Sequence, residues 1–238
     1  MKNLGVDIIY ILNRPQDLKR KERVLEELKS TECDNYEIIK SVTGDRINSI
    51  PELIKKKELF PVFTDPVGLL TKNIIATCYT HYKAVEKFYK SDYNTCLILE
   101  DDFKFVFSKE KTNKKINNFL NKFNNNFDAI HLSHSYWDKK ENVDKDVCRI
   151  NSVVTASGYI VNNNGKFYDK LIKDLEGSRD KLTDNMKDWL NKNPGKKRYQ
   201  DGAALNQHWG GLQRKSKWYM FNPPLGKQSG SPSTIMGQ

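Results

Sequence analysis

Cysteine is scarce in this 238-residue chain. There are four, Cys33, Cys78, Cys96 and Cys148, and none forms a Cys-x-x-Cys pair. That excludes a disulfide framework or a paired-cysteine zinc site as the organising principle, and the thiols read as reduced and partly buried. No apolar run is long enough to cross a bilayer. The opening Val6-Asp7-Ile8-Ile9-Tyr10-Ile11-Leu12 contains an acid and lacks a small-residue cleavage site, so it reads as a first strand and not a leader. The expectation is a cytoplasmic protein with no membrane span. Internal repeats and an Arg–aromatic stripe are also lacking. The excess of 40 basic over 30 acidic residues is spread as Lys among Asn. A net charge of +10 favours anionic partners such as nucleotide diphosphates or acidic glycans. Without a recognisable motif, nucleic acid is not among the expected partners.

What is present is a sharp contrast in Thr95-Cys96-Leu97-Ile98-Leu99-Glu100-Asp101-Asp102. A short apolar run, suited to a strand covered on both faces, ends in three adjacent carboxylates. Ligands of open α/β sheets bind at the carboxyl ends of strands, so the acids predict a divalent cation with a phosphate-bearing substrate behind it. An acidic turn satisfied by nearby Lys is the alternative. If the extended geometry persists, Glu100 and Asp102 share one face and Asp101 takes the other.

Around this segment the patterning alternates strand and helix. A charged helix is expected from Asp17 to about Lys29, and a strand over residues 36–42 closed by Thr43-Gly44-Asp45. The clearest helix spans residues 71–89, with Ile74, Ile75, Cys78, Tyr82, Val85 and Tyr89 at helical spacing and Thr71 as N-cap. Further segments are a helix near 114–123, a strand over 127–132, a polar loop over 136–148, and a strand within 152–161. A short helix over about 203–209 and a loop-like tail from 222 complete the chain. The order predicts a doubly wound α/β sheet.

Residues 67–81, with Ala76-Thr77-Cys78-Tyr79-Thr80-His81, followed by Leu97-Ile98-Leu99-Glu100-Asp101-Asp102, resemble glycosyltransferase family 25. Ile9-Tyr10-Ile11-Leu12-Asn13-Arg14, Val42-Thr43-Gly44, Ala156-Ser157-Gly158-Tyr159 and residues 224–235 resemble its other blocks. Ala76, Thr77 and Thr80 depart from the Gly, Cys and Ser of the family pattern, and Thr234 stands where an acid would be. The resemblance implies a single Rossmann-like glycosyltransferase domain of the GT-A type over residues 1–238, with a mixed, mostly parallel sheet flanked by helices. Residues 1–102 would form mainly the donor and metal side, and 103–238 mainly the acceptor side and C-terminal loop. It also implies a UDP-sugar donor, Mn²⁺ (or Mg²⁺), inversion at the anomeric carbon, and a protein or glycan acceptor.

Inversion needs a base for the acceptor hydroxyl. Asp201 is the candidate, placed before a short helix where it would also serve as a cap. Glu100, Asp101, Asp102 and Gln228 are the candidate metal residues. Asn13, Arg14, Thr43, Gly44, His81 and Lys227 are the candidates for donor binding. Arg14 could instead pair with Asp17, the Thr43-Gly44 turn could be only a turn, and His81 could be a core residue. Trp209 beside Gly210-Gly211 is a candidate sugar platform. A sugar nucleotidyltransferase is disfavoured because Asn13-Arg14-Pro15-Gln16-Asp17 lacks glycines. The remaining alternative is a glycan- or nucleotide-binding module with a structural cation site.

Overall fold

A computed structural model describes residues 4–31, 33–44, 66–165, 167–174, 192 and 209–229. Every residue of Ile8-Ile9-Tyr10-Ile11-Leu12-Asn13 is buried, as a strand covered on both faces requires. This is β1 (Ile8–Asn13). It is followed by α1 (Leu18–Ser30), β2 (Tyr36–Lys40), α2 (Pro66–Tyr89), β3 (Thr95–Glu100), β4 (Phe103–Phe105) and α3 (Lys109–Phe123). Then come β5 (Ala129–His131), β6 (Tyr136–Asn142), β7 (Val147–Val154), β8 (Gly158–Asn162), α4 (Gly210–Lys215), β9 (Trp218–Phe221) and β10 (Gly226–Gln228).

Eight strands form one sheet in the order β2-β1-β3-β8-β5-β9-β7-β6, and β4 pairs separately with β10. β1 is parallel to β2 and β3, and β5 to β9. β8 opposes β3 and β5, and β7 opposes β9 and β6. All strands of the sheet except β7 and β8 therefore point one way, the mixed and mostly parallel arrangement expected.

Side-chain alternation divides the core into two layers. Ile8, Tyr10, Leu12, Cys96 and Ile98 pack with Ala84, Val85 and Phe88 of α2. Ile9, Ile11, Leu97 and Leu99 pack on the opposite face with Val24 and Leu28 of α1 and Ile116 and Phe119 of α3. The chain leaves β1 through α1 towards β2 on one side. It returns through α2, on the other face, to β3 on the other side. The carboxyl ends of β1 and β3 thus flank the switch point where such sheets open a crevice.

Three expectations need correction. α2 begins at Pro66, ahead of Thr71, because proline at a first helical position loses no hydrogen bond. The polar stretch 136–148 is largely a strand pair, β6 on β7. β6 lies at the sheet edge and carries charges, so it lacks the apolar alternation that marks a half-buried strand. The tail contains β10 where a loop is expected. Residues 52–58, which the sequence marks as a short helix, lie outside the described residues, and so does the expected helix over 203–209 except for Trp209. No helix among the described residues is long and apolar enough to cross a membrane.

Candidate active site

Register brings the acids to their partners. Leu12 pairs with Glu100, so the next residues, Asn13 and Asp101, meet across the switch point. Asn13 Nδ2 donates to Asp101 Oδ2 at 2.8 Å. β3 ends at Glu100, and Asp101 and Asp102 form the turn into β4, so strand alternation does not carry through the triplet. Both of its aspartates instead face Arg20 from α1. Arg20 Nη1 lies 3.1 Å from Asp101 Oδ1, and Nη2 lies 3.2 Å from Asp102 Oδ2. Arg23 Nη2 donates to the Asp101 carbonyl at 3.4 Å. Asp101 is buried with both carboxylate oxygens engaged, which makes it an anchor for the turn.

Asp102 is held differently. Gln228 Nε2 donates to Oδ2 at 3.3 Å, and the Ser229 N–H donates to the Asp102 carbonyl at 2.7 Å. Oδ1 is buried with no hydrogen-bond partner among the described residues. Burial first, and then the adjacent negative charge of Glu100, push the Asp102 carboxyl up to about 7 against the pull of Arg20. Burial likewise raises Asp101. Glu100 is partly exposed, and its Oε1 lies 3.3 Å from His81 Nε2. His81 Nδ1 in turn lies 2.9 Å from the Tyr159 hydroxyl.

A cleft opens at this point, lined by Glu100, Asp101, Asp102 and Gln228 on one side. Opposite stand Thr43 and the polar stripe of α2, Asn73, Thr77 and Thr80. The stripe supports the turn after β2: Thr80 Oγ1 accepts from the Val42 N–H at 3.0 Å, and Asn73 Oδ1 accepts from the Gly44 N–H at 3.2 Å.

The donor set suits a hard divalent cation. An orphaned buried carboxylate oxygen beside a second carboxylate is the kind of group such an ion satisfies. Among the described residues no three His, Cys, Asp or Glu side chains form a ready-made cage. Mg²⁺-type sites do not require one, since one or two carboxylates plus substrate phosphates and water suffice.

Of the other candidates, Arg14 lines the cleft while its Nε pairs with Asp17 at 2.7 Å. Lys227 is exposed on β10 opposite Lys104 and does not line the cleft. Trp209 is no sugar platform: it is fully buried, edge-on to His131, Tyr159 and Trp218. Asp201 lies outside the described residues. Sequence reasoning misses Arg20 and Tyr159. Asn73 leaves a usable signal, a polar residue at helical spacing with Thr77 and Thr80.

A family model described as Glycosyltransferase family 25 (LPS biosynthesis protein) matches residues 6–180. Procollagen galactosyltransferase 2 of Homo sapiens is 23% identical over 170 residues, which cover 68% of this chain and 27% of that protein. The Mus musculus protein of the same name is 22% identical over 140 residues, 58% of this chain and 22% of its own length. The chain thus spans about a quarter of the curated relatives it matches. A glycosyltransferase involved in the glycosylation of the major capsid of PBCV-1 is similar over 90% of this chain and 92% of its own, at TM-score 0.38 and 13% identity. A197 from STIV is similar over 92% of this chain and 82% of its own, at TM-score 0.42 and 10% identity. These structural likenesses are too distant to bear weight, and the fold stands on its own strand order.

Proposed function

The chain belongs to glycosyltransferase family 25, and on that premise we propose that it transfers a hexose from a UDP-sugar to a hydroxyl of a protein or glycan acceptor. The name of the relatives favours galactose, with glucose as the other sugar of choice. The observation that carries the reading is Asp102, whose buried Oδ1 has no hydrogen-bond partner among the described residues and lies beside Glu100 in a cleft at the strand ends. Glu100 and Asp102 would hold Mn²⁺ or Mg²⁺, with Gln228 beside them and Asp101 fixing the turn. When bound, that cation supplies positive charge to a leaving diphosphate.

The rest is done by the chain's own residues. The Thr43-Gly44 turn, braced by α2, offers backbone to the nucleotide, and Arg14 offers a guanidinium to its phosphates. Asp201 would take the proton of the acceptor hydroxyl as its oxygen attacks the anomeric carbon, with inversion.

A panel of UDP-sugars with Mn²⁺ tests the proposal. One sugar is expected to be hydrolysed or transferred, and UDP with Mn²⁺ to raise the melting temperature. Asp102→Asn is expected to lose Mn²⁺-dependent turnover. Asp201→Asn should lower turnover by about 10²-fold or more yet keep the thermal shift with UDP. Glycan binding without turnover on any sugar would identify a binding module with a structural cation site instead.

A further inference from the structure

Tyr159 is a fully buried phenol on β8, in register with Ile98 of β3. Its hydroxyl lies 2.9 Å from His81 Nδ1, and His81 Nε2 lies 3.3 Å from Glu100 Oε1. The two rings stack at 5.8 Å, and His81 has no solvent access. One line of hydrogen bonds therefore crosses β8, α2 and the end of β3, and only its last member, Glu100, is partly exposed.

We propose that Tyr159 and His81 are positioning residues for Glu100: the phenol selects the imidazole tautomer, and the imidazole N–H aims the carboxylate into the cleft. Only the role of Glu100 towards a cation rests on the glycosyltransferase reading.

The logic is one of donors and acceptors. A neutral imidazole has one N–H and one bare nitrogen, an ionised carboxylate only accepts, and a phenol can do either. Glu100 demands the N–H at Nε2. In a neutral His81 that leaves Nδ1 bare, and Tyr159 donates to it. The opposite tautomer would set a bare nitrogen against a carboxylate. Burial, with Cys96 and Glu100 nearby, holds the Tyr159 phenol well above its ordinary range, so its donor proton is retained. The Tyr159 ring packs edge-on to Trp209 at 5.4 Å, and phenylalanine would fill the same space. Residues that orient a metal ligand from behind commonly change metal affinity by about tenfold or more.

Long-range ¹H–¹⁵N NMR reads the tautomer directly, with His81→Gln to assign the resonance. The wild-type protein should carry its His81 proton on Nε2, and Tyr159→Phe should show a mixture of tautomers. A wild-type His81 protonated at Nδ1 overturns the proposal without any variant. Mn²⁺ binding to the protein alone, followed by electron paramagnetic resonance, is the second readout. Tyr159→Phe should weaken it about tenfold, and should add nothing once Glu100 is already Gln. Unchanged Mn²⁺ affinity in Tyr159→Phe, with a clear loss in Glu100→Gln, also overturns the proposal. If Glu100→Gln binds Mn²⁺ as the wild type does, the cation reading fails and the tautomer alone decides the positioning claim.

Discussion

Arg20 meets two of the three acids with one planar fork, which makes it the residue on which the cleft's charge balance turns. Asp101 and Asp102 are adjacent and largely buried, and both are pushed towards protonation by burial. Removing the guanidinium leaves them without their shared counter-charge. Arg20→Met is expected to cost about 3 kcal/mol, in the range for breaking a buried pair on one side. Arg20→Lys should fall between, since an ammonium is a point charge without the fork. Urea denaturation checks both, and added Mn²⁺ should narrow the gap if a cation binds at Asp102. A variant as stable as wild type would show that the turn holds itself. The acids are legible in the sequence because three carboxylates after an apolar strand have no surface rationale. Arg20 is not, since it sits in a helix crowded with Lys and Glu and is singled out only by partners distant in the chain. Tyr159 is hidden for the opposite reason: its β8 neighbours look like any buried strand, and only the fold brings its hydroxyl to His81.

Among the elements, the small β4–β10 pair places Gln228 and Ser229 against Asp102. It is seated by one aromatic ring in the space left by two absent side chains. A Cβ on Gly226 would stand 2.0 Å from Phe103 Cζ, and one on Gly158 would stand 2.4 Å from Phe103 Cε2. Phe103 itself is fully buried. Gly226→Ala should therefore push β10 off β4, at about 1–3 kcal/mol for overpacking. Phe103→Leu in the same chain should recover part of that loss, because it vacates the contested volume. The check is the urea midpoint at constant slope. No shift for Gly226→Ala would mean the ring moves aside freely. The central elements are legible because both layers of β1 and β3 are apolar and helical spacing marks α2. The paired edges are not: β6 is charged, and β10 is three residues long, its apolar support coming from Phe103 far away in the chain.

For the molecule as a whole, the clearest electrostatic cost of folding is a histidine. His131 lies on β5, between β8 and β9 in the sheet, with no solvent access. Its ring stacks on Trp218 at 5.5 Å and meets Trp209 edge-on at 5.3 Å. Gln213 fixes its acceptor side. The Gln213 Oε1 accepts from the Val153 N–H at 2.8 Å, which turns Nε2 of the same amide towards His131 Nε2 at 3.1 Å. Burial, and to a lesser degree the neighbouring His134, lower His131 from its ordinary 6.5 to about 3. Unfolding returns it to the ordinary value. Between those limits the unfolded chain binds a proton that the folded chain refuses, so stability rises with pH and is lost as pH falls. Its contribution is complete above about pH 6.5 and declines by about 1.4 kcal/mol per pH unit below that. Asp101 and Asp102 oppose this trend, because carboxyls raised in the folded state weaken it as pH rises. The difference between wild type and His131→Phe removes their share, since both proteins carry the same acids. The variant should be less stable at pH 7, where Gln213 has lost the imidazole acceptor and keeps only the longer bond to the Val153 carbonyl, and the gap should close steadily as the pH is lowered from 6.5 to 4.5. Denaturation midpoints across that range measure it. A gap independent of pH would show that His131 takes up its proton in the folded sheet, and that the aromatic box around it is open to water.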